Sequence, residues 1–151
     1  MSAEENLKKL NINLPKAPDP VGAYVASKIV GNLVFISGQL PLNSEGKLIK
    51  GKVGKELNLE QGQEAAKLCA LNLLAQLKKI SGSLDKVKGC VKITGYVNSI
   101  DSFVDQPKII NGASDLISQI FGDKGKHTRA AVSVNSLPLG ASVEIEGIFE
   151  V

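Results

Sequence analysis

NLEQGQEAAKLCALNLLAQLKKI, residues 58–80, runs through SGSLDKVKG, residues 81–89, into CVKITGYV, residues 90–97. The apolar period changes along this stretch. Ala66, Ala70, Leu73, Leu74, Leu77 and Ile80 recur every three or four residues, the spacing of a helical stripe. Asn58 stands where a side-chain oxygen caps the first free N–H groups, and Glu60 suits the positive end of the helix dipole. Lys78 and Lys79 suit the negative end, and Ser81-Gly82-Ser83 stops the helix. From Cys90 the period is two, with Val91, Ile93 and Val97 on one face of a strand.

Upstream, Asn32 to Gln39 reads as a strand carrying Val34, Phe35 and Ile36. Asn43-Ser44-Glu45-Gly46 is a turn, and Leu48-Ile49 is expected to return as the second strand of that hairpin. Three prolines, Pro15, Pro18 and Pro20, remove backbone donors, so residues 1–20 are expected to form an extended N-terminal arm. Downstream, Asp105-Gln106-Pro107 restarts a helix with Ile109, Ala113, Leu116, Ile117 and Ile120 buried. Residues 122–126 form a loop, and two alternating runs, Arg129 to Val134 and Ser142 to Phe149, follow across Pro138 and Gly140. The order β-β-α-β-α-β-β predicts a single α+β domain over residues 1–151, a sheet with two helices on one face.

The composition removes several function classes. With 43% hydrophobic residues, 22% charged and 151 in all, the chain suits one globular domain. No apolar run approaches the ~20 residues that span a bilayer. The start, Met1 to Glu5, lacks the apolar segment of a secretory signal. Cys69 and Cys90 sit among apolar neighbours and are expected to be reduced, which points to the cytoplasm. Eighteen Lys and Arg against 15 Asp and Glu give a net charge of +3, and aromatic residues make up 4%, which disfavours a nucleic-acid partner. The chain has one histidine, His127, read here as a solvated loop residue, and no dinucleotide, phosphate-loop, zinc-protease or serine-hydrolase motif. No cofactor or metal is expected.

Two helices leave one sheet face uncovered. That face is read as Lys92, Thr94 and Tyr96, then Arg129, Ala131 and Ser133, then Glu144, Glu146 and Ile148. The mixture suits a surface covered by a second copy of the chain. Pairing the last two runs as an antiparallel hairpin with a loop of residues 135–140 puts Ala131 opposite Glu144 and Arg129 one diagonal away. A diagonal of ~7–8 Å is within reach of long side chains. Such a pair is either an exposed ion bridge, worth about 0–1 kcal/mol, or a site in which arginine grips a carboxylate and glutamate handles water. Glu146 competes for the same arginine. Spacing leaves these readings open.

Gly22-Ala23-Tyr24, Gly31 to Pro41 with its Ser37-Gly38-Gln39-Leu40-Pro41 block, Asn111, Thr128-Arg129 and Leu137 to Glu146 together resemble the Rid (YjgF-like) family. The resemblance spans nearly the whole chain. It implies a chorismate-mutase-like fold, a homotrimer with clefts between subunits, and hydrolysis of reactive enamine and imine intermediates to 2-oxo acids and ammonia without a cofactor, as a 2-iminobutanoate/2-iminopropanoate deaminase does. By position it implies that Arg129 holds the carboxylate of a small substrate and Glu144 orients the attacking water. Tyr24 and Asn111 would line the cleft, with Ser37, Gly38 and Gln39 in its wall. Ala131 stands where the characterised deaminases carry cysteine, leaving a backbone carbonyl to hold water, and Ala23 replaces their proline. The alternatives are a small-carboxylate-binding or chaperone-like module without turnover, and the ribonuclease or translation-inhibitor activity ascribed to some relatives.

Overall fold

The computed structural model describes residues 1–151. A five-stranded mixed sheet runs in the order β1-β2-β5-β3-β4, with β1 Ser27–Val30, β2 Leu33–Gln39, β3 Gly89–Asn98, β4 Thr128–Val134 and β5 Val143–Glu150. Two long helices, α2 (Leu59–Ser81) and α3 (Gln106–Phe121), pack together against one face. Asn58 and Gln61 cap each other reciprocally at the start of α2, and Gly82 ends it at φ 84°. The core lies between α2, α3 and the sheet, around Leu73, Leu74, Leu77, Ile93, Ile117, Ile145 and Phe149.

The arm expected to run extended begins instead as a helix, α1 (Ala3–Lys9). Ser2 and Glu5 form a capping box, and Ala3 and Leu7 turn into the core. Local capping and an apolar i, i+4 pair thus order this end, while the proline-rich segment beyond it has no regular structure. The first hairpin also differs. β1 pairs with β2 through a two-residue turn whose Gly31 adopts φ 61°, the positive value a tight hairpin needs. The Asn43 turn does form, its Oδ1 accepting from the N–H groups of Glu45 and Lys47, both at 2.9 Å. Leu48 makes only an isolated bridge to Leu42. A bulge between Cys90 and Lys92 buries Cys90 and turns Val91 outward, against the expected inward Val91.

The last two strands are not a hairpin. α3 is a crossover that returns the chain beside β3, so β4 pairs parallel to β3 at the sheet edge. β5 passes to the centre, antiparallel to both β2 and β3, with Val143, Ile145 and Phe149 fully buried. Ile93 aligns with Arg129 and Gly95 with Ala131, which places Arg129, Ala131 and Ser133 on the helix side. Ala130 and Val132 face out on the uncovered side. Their apolarity suggested the core in sequence; the neighbouring parallel strand dictates the opposite face.

Candidate active site

Arg129 rises from the edge strand toward α3, one turn above its Pro107 start. Its Nη1 donates to Asn111 Oδ1 at 2.8 Å and to Ser114 Oγ at 3.1 Å, and its Nη2 donates to the Pro107 carbonyl at 3.4 Å. Asn111 and Ser114, three residues apart on α3, share the face that meets β4. Gly112 lets that face sit where it does. A Cβ there would lie 3.0 Å from the backbone carbon of Gln63 and closer still to its oxygen, so the two long helices touch backbone to backbone. Three of the five guanidinium N–H groups are thereby engaged. The Nε–H and one Nη2–H remain, enough for a bidentate grip on a carboxylate. Beside Arg129 opens a hollow of about 300 Å³ lined by Asn111, Ser114, Ser118, Lys126 and His127.

A second group forms on the uncovered face. Glu144 lies across from Tyr96 and folds over Gly38 so closely that a Cβ there would meet its carboxylate. Burial holds the Glu144 carboxyl above the ordinary glutamate value, and neighbouring Glu146 adds to the shift. No hydrogen bond from within the chain satisfies it. Glu146 instead accepts from the Tyr96 hydroxyl at 3.1 Å. Tyr24, half exposed, lines a small hollow with Gly38, Gln39 and Leu40, and its phenol oxygen accepts from the Val21 N–H at 3.2 Å. Ser37 donates to the Val25 carbonyl at 2.7 Å, and the Gln39 amide turns back to the Ser37 carbonyl at 3.0 Å. These two side chains shape the wall rather than project from it.

The expected adjacency of Arg129 and Glu144 within one chain does not occur. β3 stands between their strands, a separation of about 10 Å at two strand spacings, and the two side chains occupy opposite faces. Arg129 gathers Asn111, while Glu144 packs over Gly38; Tyr24 shares a separate small hollow with Gly38 and Gln39, and Gln39, in register with Ile145, is buried on the helix side. Ala131 shares the face of Arg129 and packs its methyl against the core. Glu146 is no partner for Arg129 either, being on the uncovered face. Two residues of the arginine group escaped the sequence reading: Ser114, and His127, which is no free loop side chain but bonds Ser114 Oγ at 2.9 Å. The signal was the i, i+3 pair Asn111 and Ser114, together with a histidine two positions before the arginine, just ahead of the strand. No cluster of three or more His, Cys, Asp or Glu side chains stands ready for a metal ion.

Residues 4–149 match the family described as "YjgF/chorismate_mutase-like, putative endoribonuclease". Protein TCP17 of Trypanosoma cruzi is 44% identical over 146 residues, 96% of this chain and 91% of that protein. The crystal structure of Atu1372 from Agrobacterium tumefaciens, a protein of unknown function, superposes with a TM-score of 0.89 at 45% identity, covering 99% of this chain and 93% of that one. The human 2-iminobutanoate/2-iminopropanoate deaminase is 29% identical over 143 residues, 91% of this chain and 86% of that protein. The chain belongs to the Rid (YjgF-like) family, and its α+β sheet carries the chorismate-mutase-like fold. No helix is long and apolar enough to cross a membrane.

Proposed function

We propose that the protein hydrolyses reactive enamine and imine intermediates of amino-acid metabolism to 2-oxo acids and ammonia, in clefts between the subunits of a cytoplasmic homotrimer. The reading rests on one observation: a braced arginine with two free donors and a half-buried glutamate to which no group of its own chain donates lie on opposite faces of the same sheet. Only a second copy of the chain brings an Arg129 to a Glu144. The face to be covered carries Phe35, Val132 and Ala130 in the open, which supports an interface there. The name of the human relative supports the substrate class, and two free, buried cysteines suit a reducing compartment.

The chemistry asks little of the protein. A protonated imine carbon is already electrophilic. Arg129 holds the substrate carboxylate by two parallel hydrogen bonds, which fixes the imine carbon against the facing subunit. Glu144, deprotonated, accepts a proton from a water whose oxygen forms the new C–O bond. Glu144 then returns that proton to the carbinolamine nitrogen, the C–N bond breaks to release ammonia, and the hydroxyl proton passes to solvent as the carbonyl forms. An enamine enters after protonation at its β-carbon. Tyr24 and the Ser37-Gly38-Gln39 segment wall the substrate, and the Ala131 backbone carbonyl offers a further acceptor for water.

The test incubates the protein with enzymatically generated 2-iminobutanoate. Faster release of 2-oxobutanoate than in buffer supports the reading; an unchanged rate overturns it. Ala131 favours a second reading, carboxylate binding without turnover, because the site then carries no thiol. Protection against heat by 2-oxobutanoate, with no acceleration of hydrolysis, is the result that reading expects. RNA cleavage that survives Arg129→Ala would assign the family's other described activity to a different surface.

A further inference from the structure

Resting on the carboxylate-binding role of Arg129, the geometry points to His127 as a positioning residue that acts on the guanidinium through Ser114. Four groups form a single run: Arg129 Nη1 to Ser114 Oγ at 3.1 Å, Ser114 Oγ to His127 Nε2 at 2.9 Å, and His127 Nδ1 to the Gly125 carbonyl at 2.6 Å. The carbonyl can only accept and the guanidinium can only donate, so the directions at both ends are fixed.

The 2.6 Å contact requires a hydrogen on Nδ1, since a bare Nδ1 would set its lone pair against that of the Gly125 oxygen. In the neutral ring Nε2 is then an acceptor and takes the single Ser114 hydroxyl hydrogen. The serine oxygen is left with lone pairs alone, directed to Arg129. Every bond in the run points away from the arginine, and bonds so aligned polarise one another. Gly125 is itself anchored: it is buried, and a Cβ there would lie 2.7 Å from the Ile117 carbonyl oxygen. The histidine is therefore referenced to the backbone of α3. Lys126 does not compete for these groups, its ammonium lying 2.9 Å from Asp123. The free edge of the guanidinium is thus aimed by a serine whose rotor has no second choice.

Because His127 is the only histidine, its ring nitrogens are read without ambiguity by ¹⁵N NMR. At a pH where the ring is neutral, the run requires hydrogen on Nδ1 and none on Nε2, with the Nε2 resonance moving in Ser114→Ala. Hydrogen on Nε2 overturns the inference, and this readout needs no ligand, so it stands or falls apart from the deaminase reading. With 2-oxobutanoate as probe, Ser114→Ala and His127→Ala are each expected to raise Kd about fivefold, the usual scale for one such bond. The double variant should lose no more than either single, and Ser114→Thr should bind as wild type. Additive losses, or a Kd unchanged in His127→Ala, refute action through Ser114.

Discussion

Gly38→Ala separates the proposed chemistry from the fold. Gly38 does not occupy the left-handed region, so alanine's backbone is allowed there. The new methyl carbon would lie 3.0 Å from Glu144 Cδ and 3.1 Å from Cγ, with Oε1 nearer still. What it meets is the far end of a flexible, half-buried side chain, so Glu144 rotates away and the sheet stays. The stability cost is about 1 kcal/mol, the lower end for an added methylene in a packed site. The effect on chemistry is larger. A base moved by ~1 Å costs on the order of 100-fold in rate, or about 2.7 kcal/mol of transition-state stabilisation. The assay follows 2-oxobutanoate formation from 2-iminobutanoate over a range of substrate, with Tm recorded alongside. kcat should fall about 100-fold, because the base is displaced while Arg129 still holds the carboxylate. Wild-type kcat in a folded Gly38→Ala protein would refute the role given to Glu144.

Arg129→Lys keeps the charge but loses the planar fork, and with it the bond to Asn111 or to substrate; KM should rise by at least about tenfold, and an unchanged KM would make guanidinium geometry irrelevant. Glu146→Gln removes the like charge beside Glu144, so the Glu144 carboxyl falls toward its ordinary value and the acid limb of the rate profile moves to lower pH; a limb that stays put assigns it to another group. The linkage has the opposite consequence for folding. Since Glu144 binds its proton more tightly when folded, the stability this confers is full at low pH and lost as pH rises through the folded value, so Glu144→Gln should raise Tm at neutral pH. Gly112→Ala drives a methyl into the Gln63 backbone and should cost about 3 kcal/mol in denaturant titration; a loss below about 1 kcal/mol would mean that the helices yield freely.

The helices and strands were legible because their apolar periods are long and clean. Asn58, Gly82 and Pro107 marked helix ends that the structure reproduces. The pairing of strands was less so. A hairpin between Arg129–Val134 and Ser142–Phe149 satisfies alternation as well as the true arrangement does, and only the crossover through α3 and the double-sided burial of β5 choose between them. The face of β4 was misread for a related reason. Ala130 and Val132 are apolar yet uncovered, whereas Arg129 is charged yet lies over a helix whose Asn111 and Ser114 receive it. One chain's pattern records burial without saying which molecule does the burying. The resemblance supplied Asn111 and Tyr24; His127 and Ser114 became legible only once β4 was set against α3.

The most direct test of a site shared between subunits is complementation. Arg129→Ala and Glu144→Gln are each expected to be inactive alone, since each removes one half of every cleft. When the two are unfolded together in equal amounts and reassembled, a ring of subunits places an intact arginine against an intact glutamate in about a quarter of its clefts. Recovery of about a quarter of wild-type 2-iminobutanoate hydrolysis is the result predicted. Mixed oligomers that form but recover nothing would contradict a cleft built from two copies of the chain.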